Sequence, residues 1–165
     1  MAAGYVGLIY ATLPVAPAPL AFLRAHGMLR ITLDFAFAAC GLAVAALLYF
    51  RRAGAWRYAA LVGVVVAYAS VARHVRLPEE QVHFIQYGLV GVLFFRAVSL
   101  HERRRPVAFA LALVIAVVAG ALDEFIQGHV PNRHYDPRDI YLDAVSSFLG
   151  LLVSALLPPP SSETD

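Results

Sequence analysis

The 165-residue chain has no lysine, one cysteine, one tryptophan and two methionines. A lone cysteine cannot form an internal disulfide, and there is no C-x-x-C pair to hold a metal. Cys40 sits inside an apolar run and reads as a small buried apolar residue. Charge is also scarce. Only 15% of residues are charged, and the net charge of +2 is too small for a nucleic-acid surface. There is no Gly-rich phosphate loop, no stripe of basic and aromatic residues, and no H-E-x-x-H. All basic side chains other than histidine are arginines, which carries no mechanistic weight.

What is there is apolar. The hydrophobic fraction is 61% and the mean hydropathy +0.70. A soluble domain is roughly half apolar. The excess lies in runs close to the roughly 20 residues that a membrane-spanning helix needs. Five strong runs cover 29–50, 56–72, 81–100, 106–126 and 138–157. A weaker sixth covers 4–22, where Pro14, Pro17 and Pro19 would kink or stop a helix. No positive region precedes it, so it reads as a retained membrane segment rather than a signal peptide. The expected fold is therefore all-α: a polytopic transmembrane helix bundle, with five strong spans and a weaker N-terminal sixth. It forms one membrane domain over 1–157, and the tail 158–165, PPPSSETD, reads as disordered. The bilayer is the expected partner. No cofactor is called for, and the sequence does not fix an oligomer.

Arginine placement gives an orientation. Arg51, Arg52 and Arg57 share a side with Arg103–Arg105, in compact clusters with almost no acid. The other side mixes Arg24, Arg30, Arg73, Arg76, Arg133 and Arg138 with Glu79, Glu80, Asp136 and Asp139. The compact clusters are assigned to the cytoplasm and read as topology anchors. Trp56 and Tyr58 beside Arg57 suit an interfacial belt. Phe94 and Phe95 are read as lipid-facing, and Arg96 as snorkelling.

Alternating helices bring distant positions together. His83, Asp123, Glu124, Gln127, Arg133, Asp139 and Asp143 should all lie at the second face. Asp123 and Gln127, Asp139 and Asp143, and His83 and Tyr87 are each four residues apart, on one helix face. Each pair continues into small residues: Ala116 and Gly120; Ser146, Ser147, Gly150 and Ser154; Gly91. Small residues mark close helix contact in membranes, so the polar stripes should face one another. An Asp at a span's centre costs about 3 kcal/mol, less near the interface. Asp143 and Asp34 each lie about one turn inside a run. Intramembrane ionisable groups are functional candidates by default.

Three chemistries fit these residues. The first is binding of an envelope lipid or another phosphate-bearing ligand. Arg133 and Arg138 supply planar donor forks, with Tyr87, Gln127, Asp139 and Asp143 as further contacts. His83, Asp123 and Glu124 are the acid/base candidates. Hydrolysis or transfer, and so modification as well as binding of the envelope component, stays open, but no nucleophile signature accompanies them; Ser146 and Ser147 sit in no recognisable triad. The second is metal binding by His83 and the acids, ranked lower because the spacing matches no known signature; His129 and His134, five apart, add a weak hint. No metal site is assigned. The third is structural: Asp139 caps its helix, Glu124, Gln127 and Arg133 tie the loop, and His83 is a satisfied core histidine. For the whole cluster the structural reading loses ground, because each buried charge costs desolvation. Asp34 is either a buried partner for an arginine or part of the site.

At these residues the chain resembles the VanZ-like family of bacterial membrane proteins. The family pattern has an acid-rich lead into H-F-x-x-Y, then D-E-x-x-Q, P-x-R and D-x-x-x-N with later glycines. The first part reads EEQVHFIQYGLVG, with Glu80, His83, Phe84 and Tyr87. The second reads DEFIQGHVPNRHYDPRDIYLDAVSSFLG, where Asp123, Glu124, Gln127, Pro131, Arg133, Asp139 and Gly150 match. Asp143 stands where Asn is usual, and Ser146 where Gly is common. The resemblance covers 80–152, with YATLP resembling the end of the family's first helix. It implies a bacterial cytoplasmic (inner) membrane protein, and the arginine bias puts the polar face on the extracytoplasmic side. It also implies envelope association and glycopeptide (teicoplanin) resistance, and supplies no reaction. The alternative is a non-enzymatic scaffold or partner subunit whose polar cluster is structural. A transporter is disfavoured, because the charges gather near one interface rather than along a midplane path.

Overall fold

A computed structural model describes residues 2–13, 17–73, 75, 80–130 and 135–157. Its regular structure is entirely helical among these residues. The helices are α1 (Ala2–Thr12), α2 (Pro17–Ala25), α3 (Leu29–Phe50), α4 (Ala55–Ala72), α5 (Glu80–Ser99), α6 (Arg105–Gln127) and α7 (Pro137–Leu156). The last five are long and apolar enough to cross a membrane, the architecture of a multi-pass membrane protein. Their bounds fall within a residue of the five runs expected.

The N-terminal segment is two helices, of 11 and 9 residues, each short of a span. Pro17 and Pro19 lie in the first turn of α2, where a missing N–H is tolerated, so they begin a helix rather than break one. That helix ends in a Schellman closure. Met28 N–H donates to the Leu23 carbonyl and Gly27 N–H to that of Arg24, with Gly27 left-handed at φ 66°. The same closure ends α3, with Arg52 in the left-handed position. The tail 158–165, with its expected disorder, lies outside the described residues, as do Pro14, His74, Arg76, Glu79, Pro131, Arg133 and His134.

The core is α5, α6 and α7, and α5 against α7 is the most extensive contact. Its rule is the reverse of a water-soluble bundle. On α6 the buried face is Ala108, Ala112, Ala116, Ala119 and Gly120, ending in Asp123, Glu124 and Gln127. The exposed face is Leu111, Val114, Ile115, Val118, Leu122 and Phe125. Lipid is as apolar as leucine, so large side chains gain little by turning inward, while small ones let backbones approach. A Cβ on Gly150 would collide with the Gly88 carbonyl, and one on Gly91 with the Ser147 carbonyl. α5 and α7 therefore touch almost backbone to backbone.

Phe95 departs from its lipid-facing reading. It is 5% exposed and packs with Ala108, Ala112 and Leu151. The alanines of α6 leave a groove that one aromatic ring fills. Cys40 departs the other way and is exposed on α3, facing outward from a loosely packed helix. Asp34 is exposed on the same helix, so it is no buried ion-pair partner and lies outside the polar cluster. Arg57 does more than anchor: it stacks over Trp56 at 5.2 Å and donates to the Leu156 carbonyl at 3.0 Å. That satisfies an end carbonyl of α7 and pins it to α4.

Candidate functional site

Three helix ends meet where alternation put them. His83 is in the first turn of α5, Asp123 and Gln127 close α6, and Asp139 and Asp143 open α7. α7 starts cleanly. Pro137 sits at its first position, and the Asp136 side chain accepts from Arg138 N–H at 2.9 Å. The N-cap is thus Asp136, not Asp139 as the structural reading had it. Asp139 turns to the bundle instead, with Oδ2 3.9 Å from His83 Nε2. One turn deeper, Asp143 Oδ1 lies 2.9 Å from His83 Nδ1. An ionised Asp143 only accepts, so Nδ1 then carries the proton and the other ring nitrogen faces Asp139.

The cluster is dry. Asp123 is 1% exposed, Glu124 and Asp143 0%, and His83 8%. Gln127 stitches the end of α6, donating Nε2–H to Asp123 Oδ2 at 3.2 Å and to Glu124 Oε1 at 3.1 Å. Glu124 Oε2 accepts from Asp136 N–H at 3.1 Å, tying α6 to the start of α7. Asp143 Oδ2 and Ser146 Oγ are buried with no hydrogen-bond partner among the described residues. Two donor sets share the imidazole: His83, Glu124 and Asp139, and His83, Asp123 and Asp143. Within each, one ligand atom per residue lies within 4.8 Å of the others. His129 belongs to neither; it is exposed, and its ring bonds the Phe125 carbonyl at 2.8 Å.

The structure thus brings together His83, Asp123, Glu124, Gln127, Asp139 and Asp143. Tyr87 stacks on His83 with ring centroids 6.3 Å apart and is wholly buried, so it backs the imidazole. Arg133 lies outside the described residues. Arg138 is exposed and lines a cavity of about 410 Å³ with Val71, Val75, Glu80, Tyr141 and Leu142. The cavity lies between the end of α4 and the starts of α5 and α7, beside the cluster.

Sequence reasoning missed three residues. Tyr10 of α1 donates to the Ala119 carbonyl at 2.7 Å, one turn from Asp123. Tyr68 of α4 donates to the Ser146 carbonyl at 3.0 Å. Asp136 is the cap. The first two carried a signal: a tyrosine hydroxyl inside an apolar run needs a buried acceptor. Asp136 stands directly before a Pro that begins a span, a capping position.

Comparison with family models, with curated proteins and with solved structures finds no match to this chain.

Proposed function

We propose that this is a VanZ-like integral membrane protein that binds a cell-envelope component through a polar site at the extracytoplasmic face of a bacterial cytoplasmic membrane. The observation that carries the reading is one of adjacency along the first turn of α7. Arg138 and Glu80 are the charged residues lining an otherwise largely apolar cavity of about 410 Å³, and Arg138's neighbour Asp139 approaches His83 of the buried cluster. Ligand pockets are commonly about 300–1,000 Å³, mostly apolar, with few polar groups. An amphiphile with an anionic headgroup fits this division: acyl or prenyl chain against Val71, Val75 and Leu142, phosphate against the guanidinium. His83, held by Asp143, is the acid/base candidate beside that end. Of the motif residues, His83, Asp123, Glu124, Gln127 and Asp139 converge beside it, and teicoplanin resistance is the phenotype that the resemblance attaches to the motif.

A structural reading is favoured for two residues by their own bonds. Both Glu124 oxygens accept hydrogen bonds and Gln127 donates two, so these two clasp α6 to α7. The His83–Asp143 pair and Arg138 are left to the ligand.

Expression of the wild type, Arg138→Ala and Asp143→Asn in a glycopeptide-susceptible host tests the proposal. Membrane abundance is measured beside teicoplanin susceptibility. The expected outcome is protection by the wild type and loss of protection, at unchanged abundance, in both variants. Protection that follows abundance alone would leave the scaffold reading in its place.

A further inference from the structure

We infer that His83, Asp123 and Asp143 form a binding site for one divalent transition-metal cation. The inference goes beyond the envelope-ligand reading and does not rest on it. The three residues come from three helices, all are buried, and their candidate ligand atoms lie within 4.8 Å of one another. A second observation points to a ligand. Asp143 Oδ2, in a side chain 0% exposed, has no hydrogen-bond partner among the described residues. This oxygen packs against Gly120, where an added Cβ would stand 3.1 Å from it. Gly120 and Asp123 lie three residues apart on the buried face of α6, so this oxygen faces the helix that carries Asp123.

The spacing suits coordination. The 2.9 Å between His83 Nδ1 and Asp143 Oδ1 matches the edge, about 3 Å, between neighbouring ligands of a six-coordinate ion with bonds of about 2.1 Å. A neutral ring that binds the ion through Nδ1 carries its one proton on Nε2 instead, on the side of Asp139 Oδ2 3.9 Å away. A ligating histidine that gives its other N–H to a carboxylate is the usual supporting arrangement of metal sites. Gln127 does the same for Asp123 by donating to Oδ2 at 3.2 Å. The donor set chooses the metal class. One imidazole with carboxylates suits Mn²⁺ or Zn²⁺; without thiolate or thioether it does not suit Cu(I), and the nitrogen disfavours Ca²⁺. Two carboxylates and a neutral imidazole also match the charge of a divalent ion, which lowers the cost of burying acids in a membrane.

The test uses the full chain, purified in detergent, stripped with a chelator and titrated with MnCl₂ while free Mn²⁺ is followed by electron paramagnetic resonance. The expected result is saturable binding of one ion per chain, displaced by ZnCl₂, with a rise in the thermal midpoint on loading. Asp143→Asn and His83→Gln should each weaken binding about 100-fold, a loss at least as large as removal of outer-shell support produces. Asp34→Asn, on exposed α3, should bind as the wild type does. Size-exclusion profiles report folding, and the wild-type titration decides even where a variant fails to fold. Absence of saturable binding by the wild type overturns the inference. So does binding by both variants at wild-type strength. Arg138→Ala is expected to keep the ion, so loss of envelope-ligand activity alone leaves this inference standing.

Discussion

The two halves of this chain solve the membrane problem differently. Half of the most apolar stretch of α7 is buried in the protein, against 11% in α3 and in α4. The α5–α7 half uses Gly, Ala and Ser to bring backbones together, then places its acids, amide and histidine at one end of the seam. The α3–α4 half presents Ile31, Phe35, Leu42 and Val62 outward. Membrane helices gain little from burying apolar bulk, so close packing and hydrogen bonding must hold the first half together. The second half has only a small cluster around Leu48, Leu61 and Val64, reaching α7 through Leu149 and Leu156. Polar chemistry was built where the packing is tight enough to hold it.

The contrast can be broken experimentally. The largest effect is expected at the α5–α7 seam. Gly150→Leu drives a side chain into the Gly88 backbone and should cost more than about 4 kcal/mol, read as loss of folded protein from the membrane. Next is the pair at the end of the seam. His83→Ala leaves Asp143 buried without its partner and should cost about 3 kcal/mol in detergent unfolding. The double variant His83→Leu with Asp143→Leu should recover much of that loss, since an apolar pair replaces a buried polar one. Smaller again is Tyr68→Phe, which removes one interhelical hydrogen bond to Ser146 and should cost about 0.6 kcal/mol. Smallest are Phe35→Ala and Leu42→Ala on α3, expected within about 0.5 kcal/mol of the wild type. A loss there as large as at Gly150 would mean that the outward face of α3 is packed, not lipid-facing.

The five spans were legible because their signal is length and hydropathy, which need no tertiary context. The meeting of His83 with Asp123 and Asp143 was legible too, since alternation fixes which helix ends share a face. Other features depend on the partner surface. Phe95 is buried only because Ala108 and Ala112 leave room, which its own helix does not announce. Asp34 resembles Asp143 in depth and chemistry, yet one faces out and the other is wholly buried. The difference lies in the neighbours: Asp143 meets Gly120 and His83, and α3 has few contacts of any kind. Asp139 looked like a cap by position, but Asp136, ahead of Pro137, took that place and freed Asp139 for the site.

The most direct test of the central claim, that the cluster works as a site and not only as a clasp, compares Asp143→Asn with the wild type. The amide keeps the shape and an oxygen that accepts from His83, so the fold should hold. Both proteins would be melted in detergent and titrated with a short-chain anionic phospholipid, with binding read by native mass spectrometry. The account expects similar midpoints and a lipid affinity reduced at least tenfold in the variant. Equal affinity, or an affinity that falls only as far as stability does, would contradict it.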